Sequence, residues 1–192
     1  MINHNLVNKN HILFIILSII FILLTNNYSE NSVFLEGSAA RSGEYYLSIA
    51  DNSPLFSEEI NYHHAQRFLI PYFIGLLSKL FNINTIFFFK FFTYLNFILI
   101  FFINLQFCNL LKINLKNEIL IFGLIIFNPY ISRYFILYPS MVVDLFFILS
   151  GYILILFLIT KKKLFLFLSI FLAVVSRQTG IFFLVGIFLT NI

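Results

Sequence analysis

The sequence predicts an all-α, polytopic membrane protein, and three observations support that class. Of its 192 residues, 60% are hydrophobic and only 10% are charged, and the mean hydropathy is +0.95. Soluble domains contain about 45 to 50% apolar and about 25% charged residues, so this chain has too little polar surface to be covered by water. The apolar residues form long runs instead of alternating with polar ones, which argues against barrel strands. We therefore expect a transmembrane helix bundle of about six spans, within a range of about five to seven.

The whole chain, residues 1–192, is expected to form a single integral membrane domain. Its first apolar run, Ile12–Leu24, is about 13 residues long, which is the length of a signal-peptide core as well as of a short span. No small-x-small cleavage pattern follows closely, so we expect an uncleaved first transmembrane helix within residues 1–25. The sequence ends while it is still apolar, and we expect the helices to continue beyond it.

Residues 26–85 are expected to form a large outer loop that carries short interfacial helices. Six of the eight acidic residues lie here, and the absence of a lysine cluster allows the loop to be translocated. Within the loop, Phe68–Phe81 is apolar but short, and Pro71 and Gly75 interrupt it. This segment either lies along the membrane surface or crosses the membrane.

The remaining transmembrane helices are expected within residues 86–192. Ile86–Leu111 is long enough to cross, and its amides Asn96, Asn104 and Gln106 should face protein instead of lipid. The further apolar runs are Ile119–Leu137, which Asn128-Pro129 interrupts, Met141–Ile159, and the two half-length runs Leu164–Val175 and Ile181–Ile192.

The orientation depends on whether Phe68–Phe81 crosses. If it lies along the surface, Lys112, Lys116 and the Lys161–Lys163 triplet fall on the same side as Lys9, which satisfies the positive-inside rule. If it crosses, the triplet falls on the opposite face. We adopt the first alternative, which makes the N-terminus cytoplasmic. The net charge of +4 then reports topology, and no nucleic-acid partner is expected.

Several short motifs occur in an order that resembles a known family. They are Arg41-Ser42-Gly43-Glu44-Tyr45-Tyr46-Leu47-Ser48-Ile49-Ala50-Asp51, Arg67-Phe68-Leu69-Ile70-Pro71-Tyr72, Asn128-Pro129, Tyr138-Pro139-Ser140-Met141-Val142-Val143-Asp144 and Ser176-Arg177-Gln178-Thr179-Gly180. The first resembles the first outer loop of GT-C type membrane glycosyltransferases, the second their Arg-x-Leu-x-Pro segment, and the last their Arg-Glu-Thr turn. The resemblance covers nearly the whole chain. It implies a mannosyltransferase-like enzyme of the bacterial inner membrane, which transfers a sugar from a polyprenyl-phosphate donor to an acceptor at the outer face.

In that family an acid of the first outer loop is the expected catalytic base. When Tyr46–Ala50 is aligned on the family pattern, the usual Asp position falls on Ser42. Either Glu44 or Asp51 therefore takes the role from a shifted position, or the chain has lost the chemistry. A base must lie about 2.6 to 3.2 Å from the hydroxyl that it deprotonates. The alternative is that both acids are ordinary solvated loop residues.

A basic residue could hold the leaving phosphate, and the candidates are Arg67, Arg133 and Arg177. An arginine held at a helix centre costs about 2.5 to 3.5 kcal/mol on insertion scales. Arg133 and Arg177 therefore either bind phosphate or extend to the headgroups. Asp144, about one turn into an apolar helix, either stabilises that N-terminus or meets a cation or substrate. The motifs add Asp144 and Gln178 to the expected substrate-binding residues.

No cofactor or metal is expected, and the expected partners are membrane lipid and the lipid-linked sugar donor. His63 and His64 are adjacent, so on a helix they point about 100° apart and do not form a metal site together. No glycine-rich nucleotide loop is present. Two other interpretations remain open. One is a non-catalytic or truncated member of the same fold, and the other is a transporter component whose polar membrane residues line a path.

Overall fold

The regular structure of the chain is helical wherever the computed structural model describes it, in residues 16–21, 23–24, 38–55, 66–128, 132, 134–182 and 186. The longer helices are α1 Ser38–Asn52, α2 Leu69–Phe81, α3 Thr85–Leu110, α4 Leu115–Ile126, α5 Val142–Thr160 and α6 Lys163–Ser176. A helical turn, Tyr134–Leu137, and the 3₁₀ turns Pro139–Met141 and Gln178–Ile181 join them or follow them. For these residues the all-α class is confirmed.

Two helical segments are long and apolar enough to cross a membrane, judged by length and composition. They are Thr85–Leu110, with 26 residues, and Pro139–Thr160, with 22 residues. Helices α2 and α6 have 13 and 14 residues. At 1.5 Å per residue they are only about 20 Å long, against a hydrocarbon core of about 30 Å. The first predicted span is helical at residues 16–21 and 23–24, and the rest of it lies outside the described residues.

Helices α3 and α5 run in the same direction, and α6 packs back on α5. Near one end, the Thr93 hydroxyl donates to the Pro139 carbonyl at 3.3 Å, and near the other the rings of Phe107 and Tyr152 stack with centroids 6.3 Å apart. The Ser169 hydroxyl of α6 donates to the Ser150 carbonyl of α5 at 2.8 Å. The end of α6 therefore returns to the level at which α5 begins.

The core lies between α3, α5 and α1. Its largest fully buried side chains include Tyr46, Phe89, Phe97, Phe101 and Leu145. The amides of Asn96 and Asn104 are also buried and donate to carbonyl oxygens of their own helix, so the prediction that they face protein is confirmed for these two. Gln106 is half-buried. The opposite side of α3 exposes apolar side chains, among them Phe87, Phe91, Leu95, Leu99 and Phe102. An exposed apolar stripe of this kind is typical of contact with lipid.

The helix boundaries place two of the sequence motifs. Helix α1 begins at Ser38, so the aromatic pair Tyr45-Tyr46 lies in its middle. The interruption predicted at Asn128-Pro129 in the run Ile119–Leu137 agrees with the structure, in which α4 ends at Ile126 and Asn128 is not helical. The sequence explains the break, since the proline after Asn128 disfavours helical geometry at the residue before it.

Candidate functional site

The close crossing of α1 and α2 positions one wall of the site. A Cβ atom added to Gly75 would lie 1.9 Å from the carbonyl oxygen of Ala50, so only glycine allows this approach. Ala50 and Tyr46 are one helical turn apart and share the buried face of α1, where each is 1% exposed. The crossing therefore directs the Tyr46 phenol into the protein.

Three charged residues from separate parts of the chain meet beside that phenol. The Oδ1 atom of Asp144 accepts hydrogen bonds from Arg67 Nη1 at 3.2 Å, from Arg177 Nε at 3.1 Å and from Arg177 Nη2 at 2.5 Å. Asp144 is 77 residues from Arg67 and 33 residues from Arg177 along the chain. We name Arg67, Asp144 and Arg177 the arginine cluster.

The helix ends explain why these charges are stable where they are. Asp144 lies in the first turn of α5, and Arg177 is the C-cap residue of α6. A helix N-terminus carries a partial positive charge and a C-terminus a partial negative one, so each residue complements its own helix. Because α5 and α6 are antiparallel, their opposite ends meet at this level and bring the two charges into contact.

Aromatic side chains support both arginines. Arg67 Nη1 also donates to the Tyr46 hydroxyl at 3.4 Å, and the guanidinium carbon of Arg177 lies 5.1 Å from the centre of the Phe147 ring. Burial raises the pKa of the Tyr46 phenol above its ordinary value of 10.0, and the hydrogen bond from Arg67 partly opposes that increase. Tyr46 is therefore a neutral hydrogen-bond partner at physiological pH, and it adds no charge to the cluster.

The arginine cluster has the charge and the donors of an anion site. Two guanidinium groups share one carboxylate, which leaves a formal charge of +1. The arginine side chains are 32% and 31% exposed, and that of Asp144 is 17% exposed. A guanidinium has five N–H donors, and the contacts above use one nitrogen of Arg67 and two of Arg177. The remaining donors can bind a further oxyanion.

An apolar cavity of about 430 Å³ lies among the helices whose ends hold the arginine cluster. Its lining includes Leu69, Phe146 and Val175, and every residue that lines it is apolar. These three lie two positions along the chain from Arg67, Asp144 and Arg177 respectively, so the cavity and the arginine cluster lie at the same level of the bundle. A cationic cluster and an apolar cavity at one level of the bundle fit an amphiphile with an anionic head.

The two predicted catalytic acids lie on the exposed side of α1. Glu44 and Asp51 are seven residues apart, which on a helix places them within about 20° of each other, whereas Tyr46 lies roughly 160° away from Glu44. Both are exposed. The carboxylate of Asp51 accepts a hydrogen bond from the Thr85 hydroxyl at 2.8 Å, at the first residue of α3. The assignment of either acid as a base remains a prediction.

The other predicted site residues separate into two groups. Gln178 is exposed in the 3₁₀ turn that follows Arg177, and the hydrogen bonds of the arginine cluster do not include it. Arg133, His63 and His64 lie outside the described residues. Within the described part of the chain, no group of three or more His, Cys, Asp or Glu side chains could hold a metal ion.

Sequence reasoning missed the roles of Tyr46, Phe147 and the cavity. One signal for Tyr46 was present: Gly43, Tyr46 and Ala50 are spaced as one face of a helix, and small residues on such a face allow close packing. No comparable signal pointed to Phe147, because phenylalanine occurs 28 times in the chain and its spacing carries little information.

Comparisons with known proteins provide no relative from which a function could be transferred. No protein-family profile matches the chain. No curated protein and no solved structure matches it either.

Proposed function

We propose that this chain is a membrane protein that binds a polyprenyl-phosphate-linked sugar and transfers the sugar to an acceptor hydroxyl at the outer face. One observation carries the proposal. Two arginines converge on a single carboxylate at the level of an apolar cavity, and among the described residues they retain a net positive charge and N–H donors that bond no other group. The ligand that fits this combination has one phosphate and a long apolar chain.

The arginine cluster supplies the phosphate site of the proposal. Arg67 and Arg177 approach Asp144 from different elements, so their guanidinium groups can bind a phosphate from two directions. Hydrogen bonds between arginine and phosphate are charge-assisted and can be bidentate, which fixes the orientation of the phosphate as well as its position. The Phe147 ring restrains the guanidinium plane of Arg177.

The cavity supplies the site for the lipid chain. It lies between α2, α3, α5 and α6, and the exposed apolar side chains of α3 and α6 extend the apolar surface around it. Each CH₂ group removed from water contributes about 0.8 kcal/mol, so a few isoprenoid carbons in the cavity would add substantially to the affinity. The two helices long enough to cross a membrane support this location in the bilayer.

The transfer step rests on the resemblance to GT-C type glycosyltransferases. In that step the acceptor oxygen attacks the anomeric carbon, and the bond between that carbon and the phosphate oxygen breaks. The phosphate leaves with the bonding electron pair and remains on the lipid. The hydroxyl proton passes to a carboxylate, for which Glu44 and Asp51 are our candidates. Arg67 and Arg177 stabilise the charge that develops on the leaving phosphate.

A second function is favoured by the positions of the two acids. Both are exposed on the side of α1 that faces away from Tyr46, and Asp51 already bonds Thr85 at the start of α3. This arrangement suits a non-catalytic protein that binds the lipid phosphate without transferring the sugar. The two functions share the arginine cluster and differ in whether an acid acts as a base.

The test is transfer of radiolabel from polyprenyl-phosphate sugars in membranes that contain the chain. We expect transfer by the wild type, and its loss in Glu44→Gln or Asp51→Asn without a lower amount of protein in the membrane. Full activity in both variants would overturn the assignment of the base. Absence of transfer from every donor, together with binding of the donor that depends on Arg177, would favour the non-catalytic function.

A further inference from the structure

We propose that Asp144 makes the arginine cluster select a phosphodiester, with one negative charge, over a phosphomonoester that carries nearly two. This inference rests on the proposed function, because it concerns the head group of the same lipid. Asp144 is the acceptor for both guanidinium groups, so it lowers the formal charge of the cluster from +2 to +1. A monoanionic ligand then gives a neutral complex, and a dianionic ligand leaves an excess negative charge.

The geometry brings the Asp144 charge close to any bound phosphate. Its Oδ1 atom lies 2.5 to 3.2 Å from the nitrogens of the two arginines. A phosphate held by other N–H groups of the same guanidinium planes lies about two hydrogen-bond lengths from that oxygen. The Asp144 side chain is only 17% exposed, so water screens this repulsion less than it would at an open surface. Each negative charge added to the ligand therefore adds to the repulsion from Asp144.

This preference has a consequence for the transfer reaction. The donor is a phosphodiester with one charge, whereas the lipid phosphate left after transfer is a phosphomonoester. Phosphomonoesters have a second pKa near 6 and carry about −1.5 to −2 charges at neutral pH. Asp144 therefore favours the donor over the product at the same site. It is a specificity residue that assists exchange of spent lipid for new donor.

The experiment compares two lipids that have the same acyl chains and different head groups. Tail-labelled phosphatidylglycerol, a phosphodiester, and phosphatidic acid, a phosphomonoester, are titrated into the detergent-solubilised full chain at pH 7.5. The readout is the ratio of the two dissociation constants. Asp144→Asn keeps an oxygen acceptor for both arginines and removes only the charge. We expect it to shift the ratio toward phosphatidic acid by about tenfold.

Two further variants separate the effect of the cluster's formal charge from the effect of its local side-chain geometry. Arg67→Gln lowers the cluster charge and should shift the ratio in the opposite direction, so it tests the proposal even if Asp144→Asn does not fold. The double variant Arg67→Gln, Asp144→Asn restores a formal charge of +1, and its ratio should return toward the wild-type value. A double variant that keeps the ratio of Asp144→Asn would overturn the proposal, because the effect would then follow local geometry.

The outcomes also distinguish this proposal from the proposed function. If both lipids bind in a manner that depends on Arg67 and Arg177 but the ratio is the same in every variant, only the role of Asp144 fails. If neither lipid binds in that manner, both proposals fail. Inorganic phosphate is included as a competitor. Displacement of either lipid by millimolar phosphate alone would identify free phosphate as the ligand and overturn the selection of a lipid head group.

Discussion

The charges of the arginine cluster are stabilised by one another. A single arginine at the centre of a membrane helix costs about 2.5 to 3.5 kcal/mol on insertion scales, but Arg67 and Arg177 lie at helix ends and share the carboxylate of Asp144. Removing one member of a partly buried ion pair leaves the other without a partner, which costs more than the pair contributes. Conservative substitutions therefore report the function of the cluster better than alanine does.

Replacement of Arg177 by lysine should raise the donor concentration needed for half-maximal binding or transfer by about tenfold. Arg177 uses two nitrogens on one carboxylate oxygen and places its planar group over Phe147, and a lysine ammonium cannot reproduce both contacts. Arg67→Lys is the matched control. Arg67 reaches Asp144 through Nη1 alone, so Arg67→Lys should raise the required donor concentration by less than Arg177→Lys does. Donor dependence unchanged by Arg177→Lys would show that Arg177 only extends to the headgroups.

At the scale of the helices, short-range contacts attach α1 to α2 and α3. Besides the contact between Gly75 and Ala50, the Lys79 ammonium donates to the Ser53 carbonyl just beyond the end of α1, where a cation complements the helix dipole. Asp51 accepts from Thr85 at the start of α3. Helix α1 is therefore fixed at its C-terminal end, and this holds Tyr46 against Arg67.

Gly75→Ala should destabilise the protein by more than about 2 kcal/mol, because the new methyl group would overlap the Ala50 carbonyl and force the helices apart. Gly151→Ala is the control, since a Cβ at that position of α5 meets no atom within 4 Å and alanine favours the helix by about 1 kcal/mol. Thermal unfolding in detergent should therefore separate the two variants. Equal stability of Gly75→Ala and wild type would contradict the close crossing.

The sequence predicted the long helices better than it predicted the site. Hydrophobic length is a local property, so α3 and α5 could be located to within a few residues. The meeting of Arg67, Asp144 and Arg177 depends on how α5 and α6 fold back on each other, and no local pattern encodes a contact across 77 residues. The resemblance named all three residues as substrate-binding candidates, but it did not predict that Asp144 would bond both arginines.

At the scale of the whole molecule, several lysines lie together at one end of the described helix bundle. Because α3 and α5 are parallel, Lys112 and Lys116 after α3 lie at the same end as Lys161–Lys163 after α5. The opposite end carries α1 and the arginine cluster. If both long helices cross the bilayer, the lysines are on one side and the proposed sugar-transfer site is on the other, and the positive-inside rule makes the lysine side cytoplasmic.

Cysteine labelling tests this arrangement directly. Cys108 is the only cysteine in the chain and is buried, so Cys108→Ala provides a background for single cysteines at Asn52, Lys116 and Lys162, all of which are exposed. In intact cells a membrane-impermeant maleimide should label Asn52→Cys, and it should label Lys116→Cys and Lys162→Cys only after the membrane is broken. Residues at one end of the helix bundle are exposed to the same aqueous compartment, so cysteines at that end should respond alike to the reagent. Labelling of Lys162→Cys in intact cells would mean that α5 does not cross in the direction of α3. The arginine cluster would then face the cytoplasm, and sugar transfer at the outer face could not occur there.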